Sequence, residues 1–163
     1  MKRIFVAALA AVAAMTAAPA MADDFSGARV GVEAGVVGDD FGSTTKGTYG
    51  VVAGYDFDLG NVVVGPQVGA TGVFDSGVDG LRELTAGARL GVKVADRTLV
   101  YGTAAYSNID AKGLPGALDG VRVGLGLEQK LGSNVYASVE TRYGNYEYGA
   151  ELYQTVVGVG VRF

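Results

Sequence analysis

The chain has no cysteine, no histidine and no tryptophan, and only three prolines among its 163 residues. Without cysteine there is no disulfide staple and no acylation point for a lipid anchor. Lacking both cysteine and histidine, the chain can build neither a nucleophile–histidine dyad nor a Cys/His metal centre. Basic charge is also scarce. Thirteen Lys and Arg against seventeen Asp and Glu leave a formal charge of −4, which argues against a nucleic-acid partner. Beyond the first two dozen residues no long apolar run occurs, so no membrane-spanning helix is expected.

What is present starts with an export signal. Lys2 and Arg3 precede the apolar run Ile4 to Ala14, and small residues lead to Ala20-Met21-Ala22 just before Asp23-Asp24. A basic start, a short apolar stretch and an A-x-A site define a secretory signal peptide. Cleavage is expected after Ala22, with Ala20 and Ala22 as the small residues read at the site. Residues 1–22 are then a signal peptide and residues 23–163 one folded domain of about 141 residues, carrying a charge of about −6.

The mature chain has a period of two. Val30, Val32, Ala34 and Val36 alternate with Arg29, Gly31, Glu33 and Gly35, and Tyr49 to Phe57 and Leu84 to Val94 repeat the pattern. Val62, Val64, Val68 and Ala70 share one parity of a third segment. Later segments run Leu99 to Ala105, Val121 to Lys130, Val135 to Tyr143 and Tyr153 to Phe163. This is strand periodicity, and it predicts eight strands. Short turns at Asp58 to Asn61, Ala95 to Arg97 and Gly132 to Asn134 alternate with longer polar loops. The loops are Asp39 to Gly47, Phe74 to Gly80, Ser107 to Ala117 and Asn145 to Ala150. Strands in a membrane must close on themselves, because lipid satisfies no backbone groups. An all-β, eight-stranded antiparallel up-and-down transmembrane barrel is therefore expected, with short turns at one rim and long loops at the other.

Glycine indicates which face is inside. About fifteen glycines share the parity of the charged residues, and a solvated strand face has no reason to prefer glycine. A crowded eight-stranded lumen does. The expected inward network comprises Arg29, Glu33, Glu83, Arg89, Lys93, Arg122, Glu128, Lys130, Glu140, Arg142 and Arg162, with Asp56 adding to its acidic part. Buried charges cost several kcal/mol each unless paired, so a salt-bridged plug is predicted. On the outward face, Tyr49, Tyr143 and Tyr153 near one rim and Tyr55, Phe57, Tyr101 and Phe163 near the other are expected to form interfacial aromatic belts. Pro66, inside the third strand, cannot donate to a ladder, and a bulge, a locally weak pairing or a one-residue slip is expected there.

The ending Tyr153-Gln-Thr-Val-Val-Gly-Val-Gly-Val-Arg-Phe163 resembles the terminal signature of outer-membrane barrels. In that family a final aromatic and alternate apolar residues are read by the barrel assembly machinery. Tyr153, Val157, Val159, Val161 and Phe163 occupy the matching positions. The whole mature chain is similar to the eight-stranded OmpA-like and opacity-type, porin-like barrels, without a counterpart of the peptidoglycan-binding domain of full OmpA. The resemblance implies a multi-pass protein of the Gram-negative outer membrane. It also implies contact with lipid and lipopolysaccharide, and with the assembly machinery during biogenesis.

Three functions are compatible with these residues. The first is a structural or surface-exposed envelope protein, monomeric, with no catalysis and no cofactor. The second is a narrow porin-like channel or a weak adhesin of an extracellular ligand, for which Phe41, Val78, Ile109 and Leu114 are the apolar loop residues. The third is a soluble periplasmic lipocalin-like carrier of a small apolar ligand, in which the valines would point inward. The acidic loops are expected to be solvated, with recruitment of divalent cations as the alternative.

Overall fold

The computed structural model describes residues 25–38, 45–74, 82–110, 116–147 and 151–163. These residues form eight strands: β1 (Gly27–Gly38), β2 (Thr45–Asp58), β3 (Val62–Val73), β4 (Arg82–Ala95), β5 (Thr98–Asp110), β6 (Leu118–Lys130), β7 (Val135–Tyr146) and β8 (Glu151–Arg162). Each pairs antiparallel with the next, and β8 pairs with β1, closing a barrel. Phe163 seals this seam, its backbone N–H donating to the Ala28 carbonyl at 2.8 Å.

The closure is staggered. Ala28 pairs with Tyr55, and the register then runs through Pro66, Ala88, Ala104, Val123, Tyr143 and Tyr153 to Gly38. The path returns to β1 ten positions beyond its start, at residue 38 against residue 28. Such a stagger goes with strands tilted by roughly 35–45°. Because the displacement is even, every row keeps its face around the whole cylinder.

Valine and leucine cover the outside. Val123, Val139 and Val159 are 47%, 44% and 52% exposed, and Leu125 is 67% exposed. They do not meet in a dry middle, which overturns the soluble-carrier alternative. The export signal and its cleavage residues Ala20 and Ala22 lie outside the described residues, as do Phe41, Val78 and Leu114.

Three expectations are narrowed or corrected. The register is the same on both sides of Pro66, so no residue slips there. The expected alternative of a locally weak pairing is what forms: the β2–β3 ladder lacks the Tyr55–Pro66 and Asp56–Gly65 pairs, and Pro66 faces outward. The irregularity lies instead between Lys93 and Ala95 in β4. Second, the strands run further into the long-loop end than the pattern implied. Residues 107–110 belong to β5, where Asn108 Nδ2 donates to Asp119 Oδ1 at 2.6 Å.

The third correction concerns β5. Its sequence, Thr-Leu-Val-Tyr-Gly-Thr-Ala-Ala-Tyr, is apolar on both parities. Pairing decides between them: Arg89 opposes Thr103 and Gly91 opposes Tyr101, and directly opposed residues share a face. Leu99, Tyr101, Thr103 and Ala105 therefore point inward. Tyr101, expected in the aromatic belt, is buried, and Gly102 turns outward. Tyr106 takes an outward position, 54% exposed.

Candidate functional site

The lumen holds three tiers of paired charge. At the short-turn end, the fully buried Asp56 of β2 accepts from Arg89 Nε at 3.0 Å and Nη2 at 2.6 Å, and from Arg162 Nη1 at 2.8 Å. Arg29 Nε lies 3.2 Å from the same carboxylate. Glu128 bridges the two donors, taking Arg89 Nη1 and Arg162 Nη2, each at 2.8 Å. In the middle tier, Arg142 forks onto Glu33 at 2.8 and 2.7 Å and reaches Glu140 at 3.0 Å. At the long-loop end Arg122 Nη1 donates to Glu83 Oε2 at 2.7 Å.

Five arginines thus meet five carboxylates: Arg29, Arg89, Arg122, Arg142 and Arg162 against Glu33, Asp56, Glu83, Glu128 and Glu140. The lowest tier carries one surplus positive charge and the middle tier one surplus negative charge. Together they cancel. Arginine suits this task because its planar fork satisfies two carboxylate oxygens at once. Asp56, only an auxiliary acid in the sequence pattern, is the hub. Lys93 pairs with Asp58 at the rim, and Lys130 Nζ stands 5.3 Å from the Phe25 ring.

Hydroxyl groups complete the carboxylates. Glu140 accepts from Thr103 Oγ1 at 2.8 Å and Tyr101 OH at 3.2 Å. Glu83 Oε1 accepts from Ser107 Oγ at 2.6 Å and Tyr146 OH at 2.8 Å. The Tyr101 ring also lies 4.9 Å from the Arg89 guanidinium carbon, a cation–π contact.

A small apolar cork closes the short-turn end, where Phe25, Val63, Leu99 and Tyr101 form a buried cluster. Phe25 is tied on both sides. Its N–H donates to Asp58 at 3.0 Å, and its carbonyl accepts from Arg162 at 2.6 Å. Sequence reasoning missed Phe25, because it precedes the first alternating segment and no period assigns it a face.

Several luminal glycines make room for rings, and others for a close backbone approach of the neighbouring strand. A Cβ at Gly126 would meet the Tyr101 ring at 2.5 Å, and one at Gly160 the Tyr136 ring at 2.4 Å. Gly120 and Gly144 stand in the same relation to Tyr146. Only at Gly54 and Gly124 do the nearest side chains include the arginines of the charge tiers.

Outside, Tyr143 and Tyr153 pair across β7 and β8 with ring centroids 5.1 Å apart, and Tyr49 stands 4.9 Å from Phe74. At the other rim Tyr55 and Phe57 stand 5.0 Å apart, and Phe163 is exposed on β8's edge. With Tyr101 turned inward, this lower belt comes from β2 and the C-terminus.

Above Arg142 the lumen opens into a cavity of about 230 Å³ lined by Val37, Val73, Ile109, Leu152, Arg122 and Gln154, among others. Ile109, expected in an exposed loop, is buried in this wall. Among the described residues no group of three or more acidic side chains converges on a metal-binding geometry.

A closed eight-stranded cylinder with an aliphatic outer surface and an ion-paired interior defines an integral outer-membrane barrel. The chain belongs to the outer membrane protein beta-barrel domain family, whose profile matches residues 5–163. Short turns then face the periplasm and long loops the exterior. Neisserial surface protein A superposes with a TM-score of 0.56 at 14% identity, over 83% of this chain and 96% of that one. Ail, the attachment invasion locus protein of Yersinia pestis, gives 0.55 at 17% identity over 83% and 96%. The outer membrane enzyme PagL gives 0.58 at 14% identity over 83% and 99%. At these identities the likeness is one of fold. No curated protein matches the chain by sequence.

Proposed function

We propose that this protein is a non-catalytic structural or surface component of the outer membrane, whose lumen is held shut by paired charge. The observation that carries this reading is Asp56, fully buried and gripped by Arg29, Arg89 and Arg162, with Glu128 bridging two of them. Freeing any member would strand a charge in a low-dielectric interior, so the plug resists opening. The absence of histidine and cysteine supports a role without catalysis. Ser107, the hydroxyl that Glu83 holds, is completely buried and so out of reach of a substrate. Ile109 lies in the luminal wall, which removes one of the four apolar residues an adhesin would use.

In the same reading, residues 1–22 are removed on export and the chain is monomeric. Lipid and lipopolysaccharide surround the Val and Leu face, and Tyr153, Val157, Val159, Val161 and Phe163 serve the assembly machinery. The test is conductance of the purified barrel in planar bilayers, after outer-membrane fractionation and heat-modifiable migration have established its folding. Quiet membranes are expected; discrete channel openings would replace this reading with the narrow pore.

A further inference from the structure

We propose that the cavity at the extracellular end of the lumen is a binding site for a small amphiphile with an anionic head, such as a medium-chain carboxylate. The cavity is blind, since the Arg142 tier closes it below. At about 230 Å³ it falls under the ~300–1,000 Å³ of ordinary ligand pockets, which suits a molecule of roughly a dozen non-hydrogen atoms. Lys46, Thr48 and Thr71 line it too, but its wall is largely aliphatic, with Val37, Val73, Ile109 and Leu152. Three of the four terminate or nearly terminate a strand facing inward, where a water-filled mouth would favour polar residues.

The floor selects the head group. Glu83 Oε2 accepts from Arg122, and Oε1 from Ser107 and Tyr146. Gln154 Oε1 accepts from Arg122 at 3.5 Å, while its Nε2 donates to Thr48. The carboxylate and amide acceptors here are engaged. Among the described residues Arg122 makes both of its hydrogen bonds from Nη1 alone, which leaves the N–H groups of Nε and Nη2 as donor capacity at a cavity-lining residue. A ligand that completes this floor must therefore bring acceptors, and against a guanidinium a carboxylate is the strongest choice. Its alkyl tail would lie along the four aliphatic side chains.

The chain provides its own reporter. Ile4 and Ile109 are its only isoleucines, so the exported domain carries a single isoleucine δ-methyl, within the cavity. The experiment titrates octanoate, and octylamine as the head-group control, into the methyl-labelled, folded barrel in lipid nanodiscs and follows that resonance. Saturable movement with octanoate and none with octylamine is expected. Arg122→Gln should weaken octanoate tenfold or more, and Val73→Phe, which fills the cavity but leaves the ion pairs intact, should abolish the response. An unmoved Ile109 methyl, equal response to octylamine, or saturable binding that survives Val73→Phe would each overturn the proposal. Should Arg122→Gln fail to fold, the octylamine and Val73→Phe arms decide.

Discussion

Arg162 of β8 reaches past β1 to Asp56 of β2, 2.8 Å away and 106 residues earlier in the chain. The penultimate residue is thereby locked to the centre of the plug, and the β8–β1 seam is held from inside as well as by its ladder. Removing one partner of a buried pair leaves an uncompensated charge, which costs about 3–5 kcal/mol. Asp56→Ala should therefore destabilise the barrel by about that amount, because three arginines lose their shared acceptor. Urea unfolding in lipid vesicles measures it; a midpoint unchanged from the parent would show that the tiers contribute nothing to stability.

Tyr101 permits a sharper separation. Its hydroxyl supports Glu140 and its ring completes the cork with Phe25, Val63 and Leu99. Tyr101→Phe should cost only about 0.5–1.5 kcal/mol, whereas Tyr101→Ala should cost about 3–5 kcal/mol. Were Tyr101 a lipid-facing belt residue, Tyr101→Ala would resemble Tyr143→Ala. The same unfolding assay compares the three.

The glycine-under-ring arrangement can be tested by compensation. An added methyl at Gly126 would sit 2.5 Å from the Tyr101 ring, with only side-chain atoms as its nearest neighbours. Gly126→Ala should destabilise by about 1–3 kcal/mol through overpacking. In a Tyr101→Leu background the penalty should largely vanish. A penalty of equal size in both backgrounds would point to the strand backbone, not the ring.

At the C-terminus, Phe163 contributes an exposed ring while its backbone closes the seam onto Ala28. Phe163→Ala keeps that hydrogen bond, so the purified, folded protein should unfold within about 0.5 kcal/mol of the parent, as surface changes usually do. Its yield in outer-membrane fractions should fall several-fold if the ring is read during assembly. Equal yields would remove Phe163 from that role.

The period-two pattern already contained the strand count, the alternation of short turns and long loops, and the face given to Arg29, Arg89, Arg142 and Arg162. Alternation is a local property, and a strand with one charged parity and one aliphatic parity has a single sensible orientation in lipid. β5 escaped because Leu99 and Val100, or Ala105 and Tyr106, are apolar neighbours on opposite faces. Only its pairing with β4 decides between them. At Pro66 the alternation left a bulge, a weak pairing and a slip open, and the β2–β3 register selects the weak pairing, two missing ladder pairs without a shift.

The order of residues alone therefore gave an eight-stranded barrel with one charged and one aliphatic face, because side-chain period and polarity are set residue by residue. The exposed valines of the folded cylinder then fixed the charged face as the inner one. Tertiary structure decided which charges meet, that Asp56 anchors three arginines, that Phe25 and Tyr101 cork one end, and that Ile109 lines a cavity at the other. Those outcomes depend on the stagger of closure. It brings residues more than a hundred positions apart to one level of the lumen, and no local pattern encodes that offset.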